Sequence, residues 1–154
     1  VYHMSKVGIW VRSILIPLLT GILISIIIAP YMDYGTLIQR SFAPPGFLFP
    51  IIWTILYILM GVSDGILRTN GLNIRQTDFI YYLQLLFNAL WSIIFFALKW
   101  RLVAFVWIII LFVLIIVMIA RFYRRNQVAG LLQIPYALWV AFAAYLNLTI
   151  YLLN

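Results

Sequence analysis

Apolar and polar positions along this chain alternate on a scale of about twenty residues, far longer than the period of a strand or an amphipathic helix. Five stretches contain no Asp, Glu, Lys or Arg: Ser13–Met32 with 20 residues, Ser41–Ser63 with 23, Phe79–Leu98 with 20, Leu102–Ala120 with 19 and Asn126–Asn154 with 29. A helix needs about 20 apolar residues to cross the hydrocarbon core. A transmembrane barrel would instead alternate in segments of about ten. The pattern predicts an all-α integral membrane protein with a single domain over residues 1–154, a five-transmembrane-helix bundle. The spans are placed at about 8–29, 45–66, 79–98, 102–121 and 130–152. The first exceeds the 7–15-residue (roughly) apolar core of a cleavable signal.

Within the spans a finer pattern selects faces. After Pro44-Pro45, residues Phe49, Trp53 and Tyr57 recur at steps of four, giving one aromatic stripe on the second helix. Pro45 suits the first helical position, whereas Pro50 should remove the bond to the Gly46 carbonyl and loosen the first turns. On the third helix Gln84, Asn88 and Ser92 share a face. Amides in hydrocarbon must be paired, so that face points into the bundle, either for interhelical hydrogen bonds or as a polar handle in a ligand pocket. On the fifth helix Tyr136, Trp139, Ala143 and Asn147 form one face, and Gln84 or Asn88 are candidate partners for Tyr136 and Asn147.

The connections carry the charge. Asp33 and Arg40 lie in the first and longest; Thr77-Asp78 at the end of the second reads as an N-cap; Asp64 and Arg68, four apart, read as an interfacial ion pair. Lys6, Arg12, Arg68, Arg75, Arg121, Arg124 and Arg125 fall on one side, and Arg40, Lys99 and Arg101 on the other. This asymmetry predicts a cytoplasmic N-terminus with the first loop outside.

Composition narrows the chemistry. The 154 residues are 67% hydrophobic and 8% charged, with a mean hydropathy of +1.14, against about 25% charged in soluble proteins. The net charge of +7 resides at span ends, so it marks orientation and not a nucleic-acid partner. There is no cysteine and no glutamate, and His3, the one histidine, lies in Val1-Tyr2-His3, which is read as a vector remnant ahead of Met4-Ser5. No metal site, acid–base pair or nucleophile of the usual kinds can be assembled, and no charge lies mid-span for an ion-coupled pump. No internal repeat supports an inverted-repeat transporter, while Ala89 and Ser92 would allow the close helix approach of a homodimer.

These residues resemble the TspO/MBR family, the tryptophan-rich sensory proteins and translocator proteins. The resemblance rests on Pro44-Pro45 with Phe49, Trp53 and Tyr57; on Gln84, Asn88, Trp91 and Phe95-Phe96; and on Pro135-Tyr136, Trp139, Phe142-Ala143 and Leu146-Asn147. It implies a bundle that binds porphyrin-type tetrapyrroles (protoporphyrin IX or haem-like) and other flat hydrophobic ligands beneath the first loop, with no required cofactor. Trp53, Asn88 and Trp139 match pocket positions. Phe49, Tyr57 and Ala143 match its lining, and Gln84, Tyr136, Asn147 and Tyr34 join the candidate set. Some members degrade protoporphyrin IX in light and oxygen, and the tryptophans implicated match Trp53 and Trp139. The first connection departs from the family pattern: Tyr34, Leu37 and the two prolines fit, but its tryptophans and Lys-Pro pair are absent. The implied function is a receptor for tetrapyrroles in a bacterial inner membrane; the alternative is a carrier of porphyrin or lipid.

Overall fold

The computed structural model describes residues 5–31 and 46–154. Its helices are α1 (Lys6–Ile28, closed by a 3₁₀ turn Ala29–Tyr31), α2 (Leu48–Thr69), α3 (Arg75–Ser92, continued by a π turn Ile93–Ala97), α4 (Arg101–Arg125), α5 (Gln127–Leu131) and α6 (Ile134–Leu153). Among the described residues five helical segments are long and apolar enough to span a membrane, the fifth being α5 with α6. Neighbours pack as α1 on α2, α3 on α4 and α4 on α6, with α5 bridging α4 and α2.

The core stripe of α4 is Ala104, Ile108, Leu111, Ile115, Met118 and Phe122, all fully buried. Its steps of four and three repeat every seven residues, the spacing that keeps one seam of a helix against its neighbours. The intervening Val106, Ile109, Val113 and Ile116 face outward, where hydrocarbon replaces water and exposed aliphatics carry no penalty.

Glycine and proline set the α1–α2 contact. Pro17 has no N–H for the Ser13 carbonyl. Gly61 lies against that carbonyl: a Cβ added there would stand 2.6 Å from Ser13 O and 2.5 Å from Ile14 Cα. Gly65 likewise meets the Trp10 ring, and Gly21 meets the Tyr57 ring. The two backbones therefore approach as closely as hydrogen-only side chains permit.

Three local expectations change. Helix α2 begins at Leu48, so Pro50 is its third residue, where an N–H has no intrahelical acceptor in any case. The Gly46 carbonyl is taken by Phe49 N–H at 3.3 Å, and no hydrogen bond is lost at Pro50. Pro44 and Pro45 lie outside the described residues. Helix α3 begins at Arg75, not 79, and Thr77 caps it from inside: its Oγ accepts from Ile74 N–H and donates to Ile74 O, each at 2.8 Å. The last apolar run is broken at Leu132-Gln133 because Pro135 cannot donate to the Leu131 carbonyl. Asn126 caps the short α5 through Ala129 N–H, and the Ser63 hydroxyl ties α2 to the Ala129 carbonyl.

Candidate functional site

A cavity of about 330 Å³ opens in the half of the bundle near the end of α1 and the start of α2. Its walls come from α1, the first turns of α2, the end of α3 and the second half of α6. The volume lies at the lower end of the range for small-molecule clefts, roughly 300–1,000 Å³.

The centre of the aromatic wall is Trp53. Its ring stacks on Tyr57 at 5.8 Å between centroids, tilts towards Trp91 at 6.5 Å, and meets Tyr136 and Trp139 edge-on at 6.3 and 6.5 Å. Phe49, Trp53 and Tyr57 all line the cavity, as their four-residue spacing on α2 requires. The π turn finishes the opposite wall. Leu98 N–H reaches back five residues to Ile93 O at 3.0 Å, and this wider turn presents both Phe95 and Phe96 to the cavity. Trp91 stacks on Phe95 at 5.3 Å, and Phe95 and Phe96 meet edge-on at 4.8 Å.

Polar groups fall into two sets. Asn147 reaches the cavity, with its amide held on both sides: Trp91 Nε1 donates to its Oδ1 at 3.1 Å, and its Nδ2 donates to Arg101 O at 2.8 Å. Arg101 is itself anchored, Nε donating to Phe95 O at 3.0 Å and the guanidinium lying 4.5 Å above the Phe95 ring. The second set is a relay behind the wall. Tyr57 hydroxyl donates to Asn88 Oδ1 at 2.7 Å, Asn88 Nδ2 to Tyr136 hydroxyl at 2.7 Å, Tyr136 hydroxyl to Gln84 Oε1 at 2.7 Å, and Gln84 Nε2 to Tyr81 O at 2.8 Å. Each donor and acceptor in this run has a partner, as a buried network in hydrocarbon requires.

The structure thus divides the candidate residues. Phe49, Trp53, Tyr57, Ala143 and Asn147 line the cavity. Asn88, Gln84 and Tyr136 are buried behind it, and Asn88 is bonded to the back of Tyr57. Trp139 stands behind Trp53 and edge-on to Phe49 at 5.7 Å, its buried indole N–H without an acceptor among the described residues. Tyr34 lies outside the described residues. The expected partnership of Asn147 with Gln84 or Asn88 is not made; Trp91 and the Arg101 carbonyl, nearer its level, take it instead.

Trp91, Ser92, Phe95 and Phe96 line the cavity; helical spacing singles out Ser92 alone, and the family motif contains the other three. The π turn changes the angular register after Ser92, so a 3.6-residue wheel cannot place Phe95 and Phe96 on one wall. From α1 come Gly21, Ile24, Ser25 and Ile28, for which the sequence carried a single signal, the glycine.

Among the described residues the wall carries no charged side chain, and no cluster of metal-ligating residues occurs. Arg101 stands behind Phe95, and an ion-pair cluster occupies the other end of α2. Arg68 Nε pairs with Asp64 at 2.8 Å and Nη2 with Asp78 at 2.7 Å. The expected Asp64–Arg68 pair therefore forms; Asp64 is 1% exposed, and the second bond from Arg68, to Asp78, joins α2 to α3.

The sequence model of the TspO/MBR family matches residues 13–153. The chain is 38% identical over 124 residues to the Tryptophan-rich protein TspO of Chlorobaculum tepidum, covering 79% of this chain and 78% of that one. It is 30% identical to the Tryptophan-rich sensory protein of Cereibacter sphaeroides, covering 90% and 84%. It is 31% identical to the Translocator protein homolog of Schizosaccharomyces pombe, covering 94% and 92%.

Proposed function

The chain belongs to the TspO/MBR family, and on that premise we propose that its cavity is a receptor site for flat, hydrophobic, porphyrin-type ligands held within the membrane. The observation that carries this reading is the wall itself. Trp53, Tyr57 and Phe49 face Trp91, Phe95 and Phe96 across a space with Asn147 as a fixed polar handle. A π-system gains from offset and edge-on contact with such rings, and apolar walls with few polar groups are the usual form of a cofactor-sized site. The absence of charge from the described wall means that a ligand's macrocycle sits inside while its carboxylates stay at the mouth, since an unpaired carboxylate is costly in a dry site. Titration of the purified protein with protoporphyrin IX in the dark tests this: saturable quenching of tryptophan fluorescence is expected, weakened in Trp53→Ala. Quenching that does not saturate, or is equal in the variant, removes the reading.

A second reading, light-driven oxidation of the bound porphyrin, rests on the Trp53–Trp139 pair. Their rings meet edge-on at 6.5 Å, one at the cavity and one behind it, so two oxidisable indoles stand in series from the ligand. Its test is porphyrin loss under light and oxygen in the wild type against Trp53→Phe/Trp139→Phe. The orientation proposed is a cytoplasmic N-terminus, from the seven-to-three distribution of Lys and Arg between the two sides. A reporter fused at each end checks it.

A further inference from the structure

The cavity is not closed equally on its sides. Every lining residue from α3 and α6 is buried or half-buried. The exposed lining residues, Ile22, Ser25, Ala29, Pro50 and Thr54, all come from α1, the turn that closes it, and α2. Ile22 faces the cavity and is still 48% exposed. Among the described residues the opening is therefore a seam between α1 and α2.

Packing explains where the seam opens. Below it, α1 and α2 are clamped by Gly61 on the Ser13–Ile14 backbone and Gly65 on Trp10, and the clamp ends where Gly21 meets the Tyr57 ring. Beyond that level the helices are lined by Ile22 and Ser25 on one side and Thr54 and Pro50 on the other, with the cavity between. The neighbouring α1–α3 seam is filled by Ile24, Ile28 and Ala89, with Ile93 and Phe96 packed on them.

Depth shows what the seam faces. Ile22 lies six residues before the end of α1 and Thr54 six after the start of α2, so each is about 9 Å inside its helix end. The 23 residues of α1 span about 34 Å against a hydrocarbon core of about 30 Å, so both positions lie at acyl-chain depth. The edges suit that setting. Ser25 hydroxyl donates to Ile22 O at 2.7 Å and Thr54 hydroxyl to Pro50 O at 2.6 Å, so both polar atoms on the rim are already paired with backbone.

We propose that the α1–α2 seam is a lateral doorway through which the cavity exchanges flat apolar ligands with the hydrocarbon phase of the bilayer. The proposal rests on the reading of the cavity as a ligand site. It predicts that bulk placed on the two rims slows entry and exit together. The probe is protoporphyrin IX dimethyl ester, neutral and membrane-dissolved, with the full chain in phosphatidylcholine vesicles. In Ser25→Phe/Thr54→Phe the association and dissociation rates, read from tryptophan quenching, should both fall by about tenfold or more, whereas simple damage to the site would speed dissociation. The control Ile26→Phe/Ile55→Phe, on exposed positions of the same helices outside the lining, should match the wild type. A second arm replaces the lipid by a phosphatidylcholine brominated mid-chain: its contact quenching of the cavity tryptophans should be relieved in the rim variant and not in the control. Rates in the rim variant equal to those of the control overturn the doorway whatever the lipid arm gives. A wild type that does not bind the ester removes the porphyrin reading alone, and the lipid arm then decides, unrelieved quenching overturning the doorway.

Discussion

The Tyr57 hydroxyl donates to Asn88 Oδ1 at 2.7 Å behind the cavity wall, so the ring that faces the ligand space is held by a side chain that does not. The same Asn88 amide donates onward to Tyr136. Truncating it leaves the buried Tyr57 hydroxyl without its acceptor, a loss of about 1–3 kcal/mol, and takes one of two partners from the Tyr136 hydroxyl, which keeps Gln84. Asn88→Ala should therefore lower the thermal midpoint by several degrees or more and weaken porphyrin quenching, although the side chain is outside the lining. A variant with unchanged melting in detergent would show that the relay is not a stabilising element.

Trp53 and Trp139 should separate in binding assays. Trp53 lines the cavity and touches four other aromatic rings; Trp139 meets it from behind. Loss of one base-sized stacking surface is worth about 1–3 kcal/mol, so Trp53→Ala should raise the protoporphyrin Kd by about tenfold or more. Trp139→Phe keeps a ring against Phe49 and should change Kd by less than about threefold. Equal effects of the two substitutions would contradict the placement of Trp139 behind the wall.

Gly61 should tolerate no side chain. Alanine there puts a methyl group 2.5 Å from Ile14 Cα, backbone against backbone, with no flexible atom to move aside. Overpacking of this kind costs about 1–3 kcal/mol, and α1 should tilt away from α2. Gly61→Ala should lower the thermal midpoint, whereas Gly71→Asn, at a φ of +66° with open space around it, should be close to neutral. The pair can be compared in one melting experiment.

The two aspartates on Arg68 should differ. Asp64 is 2% exposed at its side chain and Asp78 is 35% exposed. Breaking a buried pair costs about 3–5 kcal/mol, while an exposed one is worth about 0–1 kcal/mol. Asp64→Asn should therefore impair folding yield and thermal stability far more than Asp78→Asn. Similar losses in both would mean that the ion pairs act as one unit.

The membrane class, the number of spans and the aromatic stripe of α2 were legible in the sequence because each depends on spacing within one segment. Twenty uncharged residues must cross a bilayer as a helix, and Phe49, Trp53 and Tyr57 must share a face once that helix exists. The division of labour among polar residues was not legible. Gln84, Asn88 and Tyr136 had to be buried and paired, but whether they faced a ligand or one another depends on how α2, α3 and α6 are rotated, and rotation is set by packing across helices. The same holds for the π turn that brings Phe95 and Phe96 to one wall, and for the glycine-clamped approach of α1 to α2 that leaves a seam above it. A single apolar sequence fixes its own helix, because the backbone has no other way to pair its hydrogen bonds in hydrocarbon. Only the tertiary structure decides which helix faces meet, because that depends on the shapes of two surfaces at once.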